Sequence, residues 1–540
     1  MPQHPFDWNA GYPSQRLPVF GHNVVATSHP LAAQAGLRML HHGGNAVDAA
    51  IATAAVMMLV EPVSNGLGSD AFCLVWDGHE LHGLNASGRA PAAWTPAYFR
   101  NKYGNRASAP PMRGWDSVTV PGAVAGWVAL SERFGKLPFE DLLAPAIEVA
   151  ERGFAVPVVV QQKWAAALPL LERQPGFAET FMPHGRAPAA GERFRFADAA
   201  RTLRLIGASR GAAFYGGEIA EAAAAHARDH GGAISVADFA DYRAEWVTPI
   251  GQDHAGHTLH EIPPNGQGIA ALIALGILDH FDLAAMALDG TDSQHLQIEA
   301  MKLAFADVYR FVAEPSSMEA TVEQLLDPAY LASRARLIDM KKAQDFGAGN
   351  PVKGGTIYLS AADERGMMVS FIQSNYMGFG SGIVVPGYGL SMQNRGHAFS
   401  LDAASPNLVA PGKRPFHTII PAFLTQGGRA VMSFGVMGAN MQPQGHLQTL
   451  VRMLDYHQNP QAACDAPRWR FNQGLDINVE ASMNPATAQG LAERGHRIDR
   501  INDSYQDFGA GQFIWSLGEP ATDGYVAASD PRRDGQAVAF

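Results

Sequence analysis

The sequence predicts an α+β fold built in layers, with helices laid on paired antiparallel strands. Three observations carry that expectation. Up to residue 312, long stretches place Ala, Leu and Met at steps of three and four, the helical period. After residue 355 the texture changes to short strand-like runs. Between the two lies a Gly-rich break, "AQDFGAGNPVKGG", at 343–355.

Taken in order, residues 1–20 read as a loose arm. The stretch 23–40, "NVVATSHPLAAQAGLRML", turns helical. Gly43-Gly44 stops that helix, and Asn45 or Asp48 can start the next, "AVDAAIATAAVMMLV". Short strands are expected at 72–77 and 80–84. Residues 137–153 read as a helix closed by Gly153, and 187–227 as Ala-rich and mostly helical. Residues 293–312 form a strongly amphipathic helical pattern. Beyond the break, strands are expected at 357–361, 367–374, 417–424 and 430–434, then a helix at 446–456 and last strands at 513–515 and 524–528. No repeat of fixed period and no low-complexity tract interrupts the chain. The break before Thr356 reads as a seam within one structural unit, not a linker between domains.

The totals exclude several function classes. The chain has 540 residues, 47% hydrophobic and 17% charged, which is ordinary globular composition with length for a large core. A net charge of -11 argues against a nucleic-acid partner, which would want a basic face. The longest apolar run, 49–60, is too short to span a bilayer. The first twenty residues lack the basic start and apolar stretch of a signal peptide. The only cysteines are Cys73 and Cys464, so no disulfide framework is expected and a cytoplasmic location fits.

Several motifs carry possible chemistry. Gly266-x-Gly268-x-x-Ala271 follows a possible strand, "HTLHEI", as a dinucleotide loop would. It also reads as a plain loop feeding a helix, with Pro263-Pro264 before it. His254, His257 and His260 stand at steps of three, but on a strand such residues alternate faces and make a poor metal site. No H-E-x-x-H occurs, and the G-x-S-x-G spacing at 207–211 falls inside the Ala-rich, mostly helical stretch, so it is no nucleophile elbow. Gly354-Gly355-Thr356 opens an apparent hairpin and admits two readings. One is Gly-rich turn punctuation. The other is a bond, Gly355–Thr356, that the protein cuts itself. The threonine hydroxyl would attack the preceding carbonyl and free a new N-terminus. An N-terminal threonine carries nucleophile and base together, because its α-amine has a reference pKa of roughly 7.7–8.0.

With these residues in view, the chain resembles the gamma-glutamyltransferase family of N-terminal-nucleophile hydrolases. The likeness rests on "ATSHPLAAQAGLRMLHHGGNAVDAAIA", "VTVPGAVAGW", "LLAPAIEVAERGF", "IEAMKLAFAD", "FGSGIVVPGYG", "GKRPFHTIIPA" and "ASDPR". It implies a four-layer αββα sandwich of two antiparallel sheets. It also implies a precursor that splits into 1–355 and 356–540, which stay together as a heterodimer. Thr356 falls on the catalytic threonine, and Ser374 on the position supporting it. Gly438 and Ala439 fall on the Gly-Gly pair whose N–H groups form the oxyanion hole. No metal or cofactor is implied. The departures bear on substrate. The family's acidic residue that grips a γ-glutamyl amine is replaced by Ala398, in "NRGHAFS". A serine pair that binds the α-carboxylate becomes His417-Thr418, and "NASGRAP" puts Ser87 at the usual arginine with Arg89 two residues on. Arg395, beside Asn394, replaces a neutral residue. The expectation is a cationic pocket of Arg89, Arg395 and His417, with Asn394 and Thr418, for a small amide substrate whose acyl group carries a carboxylate. Glutaryl-type acylase and oxamate-type amidohydrolase activities fit it. Glutathione hydrolysis or γ-glutamyl transfer is the alternative, and a non-catalytic scaffold is the alternative of another class.

Overall fold

A computed structural model describes residues 15–347, 355–502 and 507–540. Two seven-stranded sheets lie face to face between helices. One runs Gln536–Ala539, Val24–Thr27, Gly355–Ala362, Met368–Tyr376, Asp70–Trp76, Leu81–Ala86 and Glu245–Val247. The other runs Val19–Gly21, Tyr525–Ser529, Gly511–Ser516, Arg429–Val436, Ala422–Gln426, His257–Glu261 and Ile250–His254. Every neighbouring pair in both is antiparallel. The four-layer αββα sandwich is therefore the observed architecture.

Alternation along the strands builds the layers. In Gly355–Ala362, Ile357, Leu359 and Ala361 face the helices, while Tyr358 and Ala362 face the opposite sheet. Between the sheets, Val24, Phe72, Ile372, Phe423, Met437 and Ile514 form an apolar core. A polar seam crosses that core. Tyr358 shares its hydroxyl with Ser360 (2.9 Å) and Ser370 (2.7 Å), and Ser360 Oγ donates to Ser433 O at 3.1 Å.

The outer layers follow from helix chemistry. Asn45 caps Ala46–Val60 through a full capping box with Asp48, as two of the candidate start residues allow. All fifteen residues of that helix are buried, which explains why it is apolar all round. Gly36 in Pro30–His41 lets it come close: a Cβ there would lie 2.3 Å from Thr53 Oγ1. Phe139–Arg152 ends at Gly153 with φ 78°, as expected. Thr291–Phe311, Ile269–Leu278 and Met441–Leu450 cover the other sheet. Among the described residues no helix is long and apolar enough to cross a membrane.

Several expectations change. The stretch 23–40, expected to be helical, opens with the buried strand Val24–Thr27, and its helix starts only at Pro30. The strand expected at 417–424 begins only at Ala422, after Pro421: His417 makes a lone parallel bridge with Gly266, and the next backbone is held by side chains, Ile419 N–H on His417 Nδ1 and Ile420 N–H on Gln442 Oε1. The helix expected at 446–456 starts earlier, at Met441, and its end widens into a π-turn at Val451–Asp455. Of the arm expected at 1–20, Val19–Gly21 is an edge strand and residues 1–14 lie outside the described residues.

Candidate active site

Thr356 is the second residue of its strand and only 1% exposed. Strand alternation puts it on the inter-sheet side, as it does Ser374 on the neighbouring strand. Thr356 Oγ1 donates to Ser374 Oγ at 3.2 Å. Ser374 Oγ in turn donates to Gly355 O at 2.8 Å and accepts Tyr376 N–H at 2.8 Å. A register shift between Gly355 and Ile357 sets Gly355 opposite Tyr376, and such bulges re-aim side chains. Tyr376 adopts φ 77°, a costly conformation for a non-glycine residue and one that clusters at functional sites. Position 355 requires glycine, since a Cβ would meet Val63 O at 2.9 Å and Ser64 Cα at 3.2 Å. Gly354 lies outside the described residues. This arrangement polarises the Gly355 carbonyl through Ser374 while Ser374 is placed to receive the Thr356 proton.

The turn after Arg429–Val436 supplies the second element. Gly438 has φ 117° and Ala439 φ 52°. Neither N–H meets an acceptor among the described residues. The turn is fastened from behind: Met437 N–H donates to Ala510 O at 2.9 Å, and Val436 N–H to His446 Nε2 at 3.2 Å. The other nitrogen of His446 lies 2.7 Å from Glu261, and burial pushes this histidine down to about 3, so it is neutral. Two open, rigid N–H groups can hold a developing oxyanion.

Arg395 begins a short 3-10 turn, Arg395–Ala398, and is fully buried. Its guanidinium lies over the Tyr376 ring, 4.0 Å from the centroid. Nη1 donates to Thr418 Oγ1 at 2.9 Å, whereas Nε and Nη2 have no hydrogen-bond partner among the described residues. Burial lowers its pKa to about 10, against the pull of Tyr376 and Asp70, so it stays charged at neutral pH. The free Nε–Nη2 edge has the fork geometry that matches a carboxylate.

The rest of the expected cationic pocket does not assemble. His417 is 0% exposed, its Nε2 is 3.0 Å from Asp70 Oδ2, and its Nδ1 accepts Ile419 N–H. Burial, reinforced by Arg395 and Arg414, holds its pKa well below the ordinary value, so it adds no positive charge. Burial likewise raises the Asp70 carboxyl, opposed by Arg395. Arg89 points elsewhere. It bonds Glu314 at 3.1 Å, Gly412 O at 2.8 Å and Glu245, and Glu245 also takes Arg414 at 2.7 Å. Arg89 thus ties the two halves of the chain together, with both terminal nitrogens committed to acceptors. Asn394 is spent on neighbouring backbone: Oδ1 accepts Met377 N–H at 3.1 Å and Nδ2 donates to Met112 O at 2.9 Å. Ala398 ends the 3-10 turn with no acidic group at that position.

Tyr376, Asp70 and Gln267 also join this site: Tyr376 lies under Arg395, Asp70 meets His417 across 347 residues of chain, and Gln267 meets Thr418 O and Ala439 O across 151 and 172. The three strand histidines do not gather. His254 sits between Asp279 and Asp455, and His260 on Thr425. Elsewhere, buried His295, Glu299 and His496 come together, but the Lys302 ammonium already bonds Glu299 at 2.7 Å and lies 3.3 Å from His496 Nδ1.

Comparison with known proteins is consistent with this geometry. The gamma-glutamyltranspeptidase family model matches residues 32–540. The solved structure of cephalosporin acylase from Bacillus halodurans is 47% identical, with a TM-score of 0.94, over 100% of this chain and 99% of that one. The oxamate amidohydrolase proenzyme of Klebsiella pneumoniae is 35% identical over 96% of this chain and 98% of its own length. The glutathione hydrolase-like YwrD proenzyme of Bacillus subtilis is 35% identical over 95% of this chain and 98% of its own.

Proposed function

The chain belongs to the gamma-glutamyltranspeptidase family, an enzyme with that family's N-terminal-nucleophile hydrolase fold, and on that premise we propose how it matures and which acyl group it takes. Maturation begins when Thr356 Oγ attacks the Gly355 carbonyl carbon. Ser374 Oγ takes the Thr356 proton as it gives its own to the carbonyl oxygen on which charge develops. That proton moves to the Thr356 nitrogen as the C–N bond breaks and an ester forms, and water then hydrolyses the ester to the Gly355 carboxylate and a free Thr356 hydroxyl and amine. The products are chains 1–355 and 356–540. They stay together because the strand Gly355–Ala362 is paired on one side with Val24–Thr27 of the other chain. The proenzyme names of the relatives support this reading.

In the matured protein, Thr356 Oγ attacks the substrate's acyl carbonyl and its α-amine takes the proton. The Gly438 and Ala439 N–H groups hold the oxyanion. The α-amine gives that proton to the substrate's nitrogen as its C–N bond breaks and the amine leaves, and water then hydrolyses the acyl-threonine to the free acid. The acyl group carries a carboxylate but no α-amine. The observation that carries this is the open, buried edge of Arg395, coupled with Ala398 where an amine would need an acid. The cephalosporin acylase and oxamate amidohydrolase relatives fit a substrate of this kind. The test is turnover by matured protein of glutaryl anilide, oxamate and γ-glutamyl anilide. Glutaryl anilide or oxamate is expected to be cleaved; turnover of γ-glutamyl anilide alone overturns the substrate reading.

A further inference from the structure

The step Gly266-Gln267-Gly268, a candidate dinucleotide loop in the sequence, does something different in the fold. It precedes the helix Ile269–Leu278, and its side of the chain reaches the site through Gln267, which is 0% exposed. The Gln267 carboxamide is fully engaged. Its Nε2 donates to Thr418 O at 2.6 Å and to Ala439 O at 2.9 Å. Only the NH2 end of a carboxamide can face two carbonyls, so the orientation is fixed by chemistry. Its Oε1 accepts Asn440 Nδ2–H at 3.3 Å, and its backbone N–H donates to His417 O at 3.0 Å.

These two carbonyls belong to two different working parts. Thr418 holds the Arg395 guanidinium. Ala439 supplies half of the oxyanion turn and sits at φ 52°, where the backbone needs support from outside. We propose that Gln267 is a positioning residue that sets the acyl-anchoring guanidinium and the oxyanion turn at a fixed separation. The inference rests on the site reading above. Gln267 does not touch the reacting atoms. It acts by clamping Thr418 and Ala439 from the 1–355 side, so after maturation the clamp is an inter-chain contact.

Gln267→Met tests this, because it keeps length and volume and removes both donors. Maturation is followed on a denaturing gel, and kcat and KM are measured with glutaryl anilide and with butyryl anilide, which lacks the distal carboxylate. Maturation is expected at the unsubstituted rate, because the Gly355 carbonyl is held by Ser374 and not by the oxyanion turn. The kcat is expected to fall by about 10²-fold on both anilides, the scale of a small misplacement of catalytic groups. KM should rise for glutaryl anilide alone. Matured Gln267→Met with kcat within about twofold of the unsubstituted protein, or with only the glutaryl KM altered, overturns the proposal. Should Gln267→Met fail to mature, Gln267→Glu decides. Its buried carboxyl can donate one hydrogen bond while protonated and none once ionised, so its kcat should be relatively higher at acid pH. An unaltered pH profile overturns the clamp. Failure of the substrate reading would show separately, as absence of glutaryl anilide turnover by the unsubstituted enzyme while the kcat comparison on butyryl anilide stands.

Discussion

Arg89 and Arg395 carry the same guanidinium and meet opposite fates. Arg89 is 31% exposed and has an acceptor for each terminal nitrogen, in Glu314, Gly412 and Glu245. Arg395 is wholly buried, and two of its three side-chain nitrogens have no hydrogen-bond partner among the described residues. From sequence both look like anchors for an anion. The structure separates them by accounting for donors instead of charge. A buried donor left unpaired costs about 1–3 kcal/mol, more when charged, so its survival points to a partner that arrives later. A satisfied arginine at a seam is architecture.

The largest test asks whether the site that distinguishes them works at all. Thr356→Ala should remain one uncut chain, with turnover down by at least about 10⁴-fold, read by denaturing gel and anilide assay. Next comes the comparison itself. Arg395→Met should lower kcat/KM for glutaryl anilide by about 10- to 100-fold, the worth of hydrogen bonds to a charged group, and leave butyryl anilide nearly unchanged. Arg89→Met should stay within about threefold on either. Equal losses from both substitutions would erase the distinction.

A third measurement examines a buried ion that does have partners. Burial alone would lower His254, but hydrogen bonds to Asp279 and Asp455 outweigh it and raise the pKa to about 9. A raised pKa stabilises fully below the unfolded value near 6.5 and is lost as pH climbs through 9. The unfolding free energy should therefore fall between those pH values, by about 1–3 kcal/mol, and His254→Gln should flatten that part of the profile, read by denaturant titration. The smallest effect belongs to Arg89→Met, at most about 1 kcal/mol of stability, as for partly exposed ion pairs.

Much of the frame was legible because it is written locally. The capping box of Asn45 and Asp48, the Gly153 stop and the long helix Thr291–Phe311 all follow from neighbours in sequence. The hairpin that opens at Gly355 is local too, and so is the candidate nucleophile Thr356, whereas Ser374 comes only through the family resemblance. The rest depends on burial and long-range contact. Of the groups that keep His417 neutral only Arg414 is near it in the chain; its burial and its contacts with Asp70 and Arg395 come from folding. Arg89 lies close to Ser87 in sequence, yet its partners are Glu245, Glu314 and Gly412. The helix at Val158–Leu171 and the small sheet of Trp469–Gln473, Asp476–Glu480 and Arg497–Ile501 were not foreseen, because their apolar spacing is short or mixed.

The strand that starts at Gly355 has one more consequence. Its hydrogen-bonded neighbours come from before and after the bond proposed to be cut. Once that bond is gone, a molecule that unfolds must find its other half by diffusion before the sheet can re-form. The uncut Thr356→Ala chain keeps both halves at a fixed effective concentration, while the processed enzyme depends on never letting go. Its working lifetime would then be governed by how slowly it opens, more than by how favourably it folds.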